Sequence, residues 1–301
     1  MMKKIIRECI SWFSYYGLTC CVYLIKVSPK KTVDWLGSVL SSLYYWCAVR
    51  NRKLALRNLR LALGPEIGDK RVKEIAKASF KTMGNVVLDT IKFKDLKPEQ
   101  IRKLIDIEGS NHLDDALKKG KGVIVVSAHL GSFSLVGTRL NIDGHKANIV
   151  ARHMRYKRLE KLFLKFCRQV GQRIIFNSPI VAFYRRCMRI LSRNEIIIFE
   201  LDQNFGTYGE PVVFFGRKAM VANGPIAISM RTQAVILPMF IVRNPNNTHV
   251  LKIEPPVELT SSGDKKKDMS DNLQRTINVI EKYIIKYPGQ WVNWIHKRWD
   301  G

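Results

Sequence analysis

Residues Val123–Gly137 read VIVVSAHLGSFSLVG. The run Gly122–Ser127 is apolar at consecutive positions, so it predicts a strand buried on both faces rather than one with a wet side. Ser127-Ala128-His129 ends the strand. Leu130-Gly131-Ser132-Phe133 then turns the chain into a helix expected over Ser134–Leu140. In open α/β sheets, ligands and catalytic groups gather beyond the carboxyl ends of strands. His129 stands at such an end, either as a general base or as a histidine satisfied by its local backbone.

The same alternation continues outward. Asn148–Arg152, Arg173–Phe176, Glu195–Leu201 and Ala234–Val242 are strand-like, and Lys157–Val170, Ile180–Ser192 and Pro225–Arg231 between them are helix-like. The predicted fold class is α/β, a mostly parallel central sheet flanked by helices. Thr248–Leu259 is a further strand, placed at an edge by Pro255 and Pro256. Asp268–Tyr287 is a helix capped at Asp268 or Ser270. Residues 50–118 read as mainly helical, and Ser261–Lys267 as a surface loop.

The N-terminus differs in kind. Cys9–Ile25 (CISWFSYYGLTCCVYLI) and Trp35–Val49 (WLGSVLSSLYYWCAV) carry no charge, and Arg50, Arg52, Lys53, Arg57 and Arg60 follow with no acid before Glu66. Both runs are short for a bilayer span, and no A-x-A-like cleavage site follows the first. Aromatic-rich apolar helices beside a basic helix predict docking at the interface of an anionic membrane, on its cytoplasmic side. The expected organisation is 1–49 as membrane-associated helices and 50–301 as the α/β domain.

The 301 residues carry 51 Lys+Arg against 25 Asp+Glu, a formal charge of +26, with 46% hydrophobic residues. That apolar share excludes a disordered chain. The charge requires a polyanionic partner. A nucleic-acid binder fits the charge but not its distribution, since the basic stretch flanks an aromatic apolar segment and no nucleic-acid motif occurs. Cys9, Cys20, Cys21, Cys47, Cys167 and Cys187 make no C-x-x-C pair and no zinc spacing with histidines. The first four lie in apolar stretches and read as small buried hydrophobes.

The segment from His129 resembles the first block, H-x4-D/E, of the glycerolipid acyltransferase superfamily, and most resembles the bacterial family of lipid A late acyltransferases. Arg52–Gly64 (RKLALRNLRLALG) is similar to that family's basic helix. Val150-Ala151-Arg152 is similar to its strand ending in arginine. Leu201-Asp202-Gln203 is similar to its D-Q block, Val213–Ala219 (VFFGRKA) to its FFGR-x-A segment, and Trp291–Trp299 (WVNWIHKRW) to its closing W-x-W-x-H-R-R-W. These blocks run in the family's order from about residue 50 onward.

The resemblance implies a membrane-associated acyltransferase, with no cofactor, moving a fatty acyl chain from acyl carrier protein or acyl-CoA to a lipid hydroxyl. His129 would be the base. Gly131 and Ser132 would offer backbone N–H groups to the oxyanion. Arg152 and Arg217 would hold anionic groups, with Asp202 orienting Arg152 or a substrate hydroxyl and Gln203 beside it. Ser134 departs from the pattern, because it occupies the place of the acid that orients the histidine. Either a weaker dyad works, or Glu200 or Asp202 supplies the charge, or the chain binds lipid without turnover.

Overall fold

A computed structural model describes residues 12, 15–17, 19, 20, 22–25 and 28–299. The helices are α1 (Lys30–Cys47), α2 (Val49–Leu63), α3 (Asp69–Phe93), α4 (Pro98–Leu104), α5 (Ser110–Lys118), α6 (Val136–Ile142), α7 (Lys157–Gln169), α8 (Ile180–Leu191), α9 (Gly224–Thr232) and α10 (Lys265–Lys286). The strands are β1 (Ile105–Glu108), β2 (Val123–Ser127), β3 (Ala147–Ala151), β4 (Arg173–Phe176), β5 (Ile196–Glu200), β6 (Glu210–Phe214), β7 (Arg217–Val221), β8 (Val235–Arg243) and β9 (His249–Ile253).

Seven strands form one sheet in the order β1-β9-β8-β2-β5-β3-β4. The five from β8 to β4 run parallel, and β9 is antiparallel to β8. β2 shows why its sequence is apolar throughout. Ile124 and Val126 enter a core shared with α8, α9 and α10, while Val123 and Val125 enter a second core shared with α4, α5 and α6. Successive side chains of a strand point to opposite faces, so a strand covered on both sides carries no polar alternation.

Residues 50–118 are mainly helical, as expected, with one short edge strand, β1. Several other expectations need correction. β9 is internal, flanked by β1 and β8, so Pro255 and Pro256 do not mark an edge. The proline pair instead ends regular pairing, and Glu254 and Val257 still donate to the β8 carbonyls of Pro238 and Ile236. α10 starts one turn earlier than expected, because the Asp264 carboxylate accepts from the N–H groups of Lys266 and Lys267. Asp268 is instead buried and accepts from Ser262. VFFGRKA is a hairpin, β6–β7, whose turn residues Phe215 and Gly216 have φ of 53° and 67°. Cys20 and Cys47 are exposed, whereas Cys167 and Cys187 are buried with thiols pushed up to about 12 by desolvation. Cys9 and Cys21 lie outside the described residues, as does much of Cys9–Ile25.

α1 crosses α3 where both carry glycine. A Cβ on Gly37 would stand 2.4 Å from Leu88, and one on Gly84 would stand 2.2 Å from the Ser41 hydroxyl. No described helix is long and apolar enough to cross a membrane. α3 then runs past the carboxyl edge of the sheet, from Phe80 in the first core to Phe93 in the second. α2 and α3 together grip the last described segment. Asn58 donates to the carbonyls of Trp294 and His296, and Ser79 donates to that of Trp291.

Candidate active site

His129 leaves β2 in a turn that is tied down on both sides. Its N–H donates to Asp202, its carbonyl accepts from Val292, and Leu130 bridges to Trp291. Gly131 takes φ +55°, and a Cβ there would lie 2.1 Å from the Ile241 carbonyl oxygen, so the turn requires glycine. The chain next makes a 3-10 turn at Phe133–Leu135 before α6 begins.

The imidazole Nδ1 lies 2.8 Å from Asp202 Oδ1. Asp202 is fully buried, and its Oδ2 accepts from the His129 N–H at 3.1 Å, Trp291 Nε1 at 2.6 Å and Asn293 Nδ2 at 2.8 Å. A buried carboxylate with four donors is compensated for the loss of water and held ionised. Burial alone pushes its pKa up, but His129, the hydrogen bonds and Arg298 hold it well below the carboxylate range. An acceptor-only partner fixes the proton on Nδ1. Nε2 is left with its lone pair and has no hydrogen-bond partner among the described residues. The Phe133 ring flanks the imidazole, with centroids 4.6 Å apart.

Burial also works to lower the His129 pKa. The charge and hydrogen bond of Asp202, helped by Glu200, overcome this and leave it raised. Glu200 is pushed up to about 7, chiefly by desolvation and then by Asp202, against the pull of His129. Arg298 is 5% exposed, with none of its guanidinium nitrogens hydrogen-bonded. It lies over the rings of Phe214 and Trp291, 4.7 and 5.6 Å from their centroids. Desolvation lowers its pKa to about 10, and the charge of Asp202 opposes that.

Other expected site residues sit elsewhere. The Ser134 hydroxyl is 3.2 Å from that of Thr90 on α3, because the 3-10 turn carries it away from the imidazole. Asp202, on the neighbouring strand end, takes the position at Nδ1 instead. The Gly131 N–H is occupied by the Gln290 carbonyl at 2.9 Å and is not a free oxyanion donor. The Ser132 hydroxyl is buried and donates to Asp89, which also pairs with Arg243. Arg217 is held by the Leu61 carbonyl at 3.1 Å, at the end of α2. Arg152 is exposed beyond β3, with its guanidinium 5.2 Å from the centroid of Phe205; it makes no contact with Asp202. Gln203 is partly buried in the loop after Asp202. Asn293 and Arg298 were not anticipated. The sequence signal was present but not specific, since Asn293, His296, Lys297 and Arg298 all sit among the tryptophans of WVNWIHKRW. Trp291 is both core and an Asp202 ligand.

A profile of the bacterial lipid A biosynthesis acyltransferases matches residues 2–300. The chain belongs to that family. It is an acyltransferase with a mostly parallel α/β sheet. Over 292 residues, 95% of this chain and 90% of the relative, it is 25% identical to the lipid A biosynthesis palmitoleoyltransferase of Escherichia coli K12. It is 20% identical over 239 residues to a phosphatidylinositol mannoside acyltransferase of Mycolicibacterium smegmatis, covering 78% of this chain and 75% of that one. The corresponding mycobacterial enzyme of Mycobacterium tuberculosis is 23% identical over 167 residues, 54% of this chain and 52% of the relative.

Proposed function

We propose that this acyltransferase moves a fatty acyl chain from a thioester donor to a hydroxyl of a lipid A precursor or related glycolipid or lysophospholipid, at the cytoplasmic face of the bacterial inner membrane. The observation that carries the mechanism is the 2.8 Å contact between His129 Nδ1 and a fully buried, four-times hydrogen-bonded Asp202. Asp202 holds Nδ1 protonated, so Nε2 accepts the proton of the attacking hydroxyl as the new C–O bond forms. The tetrahedral intermediate collapses with cleavage of the C–S bond, and Nε2–H returns the proton to the departing thiolate. The charge of Asp202 stabilises the imidazolium between the two steps. In this chain Asp202 does what Ser134, uncharged and turned toward Thr90, cannot do.

Arg152, exposed at the end of β3, holds the phosphate or other anionic group of the acceptor, with Gln203 in the adjacent loop. A cleft of about 430 Å³ between α1 and α3 is walled by Val33, Leu88, Ile91 and Phe93 and includes Asp89, the partner of Ser132. Its apolar wall suits an acyl chain. The division of labour is membrane attachment in 1–49 and chemistry in 50–301. The test is acyl transfer by His129→Ala. We expect kcat to fall about 10²–10⁴-fold with an unchanged circular dichroism spectrum. A fully active His129→Ala protein refutes the mechanism.

A further inference from the structure

A second buried polar cluster lies behind the turn that follows His129. Asp89 on α3 and Ser132 in the turn are 5% and 1% exposed, so they satisfy each other rather than water. One oxygen of Asp89, Oδ2, accepts from the Ser132 hydroxyl and from Nη2 of Arg243, the last residue of β8. The other terminal nitrogen, Nη1, donates to Asn247 at 2.8 Å. The Gln290 side chain holds the backbone of Arg243. Its Oε1 accepts from the Arg243 N–H and its Nε2 donates to the Arg243 carbonyl, both at 2.9 Å. The Gln290 carbonyl in turn accepts from the Gly131 N–H at 2.9 Å. Ser132 follows Gly131, so the path closes on itself. Gly131, Gln290, Arg243, Asp89 and Ser132 make one circuit, drawn from the turn, the segment after α10, β8 and α3.

We propose that Asp89 and Arg243 are positioning residues for acyl transfer, acting through Ser132 to fix the turn that aims His129. The proposal rests on the acyl-transfer reading and extends it to residues hydrogen-bonded to neither His129 nor Asp202.

Stability does not account for the pair. Desolvation of two largely buried charges offsets most of their attraction, and well-packed apolar residues commonly serve as well. What the pair adds is direction. The guanidinium fixes where the carboxylate stands, and the carboxylate fixes the hydroxyl. The turn needs that constraint, because Gly131 at φ +55° is free to take other conformations. On the far side of Ser132, the Phe133 ring lies against the imidazole, with centroids 4.6 Å apart. Ser132 stands between the two, and its tie to α3 sets both. His249 does not compete for Asp89. Its Nε2 is 3.7 Å from the carboxylate, beyond hydrogen-bond reach, and burial pushes its pKa down to about 4, so it is neutral.

The test uses the full chain and two variants. Asp89→Leu/Arg243→Met replaces the pair by apolar side chains. Ser132→Ala removes the tie and leaves the pair. We expect both to fold, with kcat lower by about 10²-fold in the double variant and about tenfold in Ser132→Ala. KM in Ser132→Ala should be that of the wild type. The rising limb of the pH–rate profile should stay in place, because Asp202, which charges against His129, lies outside the circuit. Exchange of the Gly131 amide proton should quicken about tenfold in both variants. A pair that serves stability alone predicts wild-type kcat in a folded double variant, and that result overturns the proposal. Wild-type kcat in Ser132→Ala overturns it too, and decides the matter should the double variant not fold. A displaced limb would make Asp89 a charge acting on His129, and unchanged Gly131 exchange would show that the circuit does not hold the turn; either overturns the assignment. The exchange measurement needs no turnover, so it separates failure of the circuit from failure of the acyl-transfer reading.

Discussion

Asp202 is where a small change should say most about the chemistry. Asp202→Asn keeps the shape but can present an amide N–H to Nδ1 and favour the other tautomer. We expect kcat to fall by about 10³–10⁴, with the fold retained. The pH profile supplies a second readout. His129 has a raised pKa, and it must be neutral to act as base, so the rising limb should lie above the ordinary imidazole value of about 6.5. In Asp202→Asn burial remains while the charge is gone, so the limb should move down. Arg298 opposes protonation of His129, so Arg298→Met should move it up. A rising limb that stays put in both variants removes His129 as the titrating base. His129 was legible from its place after an apolar strand. Its partner was only one of several candidates, because sequence does not show register. In the structure Ser127 pairs with Glu200, so the residues two further on, His129 and Asp202, leave the sheet side by side. Ser134 lies close to His129 along the chain, yet the intervening 3-10 turn directs it to α3.

At the scale of elements, the turn Leu130–Phe133 depends on one residue without a Cβ. Gly131→Ala adds a left-handed alanine and a clash with the Ile241 carbonyl; neither can relax without moving β8. We expect a loss of about 1–3 kcal/mol in denaturant unfolding and a larger fractional loss of activity. Wild-type stability in Gly131→Ala would show that the turn tolerates a side chain. The alternation that predicted the doubly covered sheet comes from side chains packed on both faces, which leaves a mark on composition. β1 and the β6–β7 hairpin leave weaker marks. β1 is a four-residue strand between two helices, and Phe215 adopts a positive φ held by packing against Trp291, Trp294 and Trp299 rather than by its own preference. The proline pair after β9 was misleading because a strand can end at proline while still having neighbours on both sides.

Across the whole molecule the apolar exposure is uneven. Trp12, Tyr16, Tyr23, Trp35, Leu40 and Trp46 are exposed and all precede residue 50. Such a surface is suited to the headgroup level of a bilayer. Trp35→Glu/Trp46→Glu should reduce flotation with anionic vesicles while transfer to a detergent-dispersed acceptor persists. Unchanged flotation would show that attachment lies elsewhere. This face was readable from the two uncharged runs, but its continuity with the enzyme was not. The Gly37 and Gly84 crossing packs α1 tightly against α3, which also carries Asp89 and Thr90 of the turn region.

The segment Gln290–Asn293 has a consequence in time. It supplies two of the four donors to Asp202 and closes the backbone of the His129 turn, yet Asn293 is 164 residues downstream of His129. During synthesis the strands bearing His129 and Asp202 emerge long before the residues that hold the carboxylate in place. A nascent chain therefore spends most of its translation without the contacts that hold His129 and Asp202 together. The pair is complete only once the tryptophan segment is seated against α2 and α3.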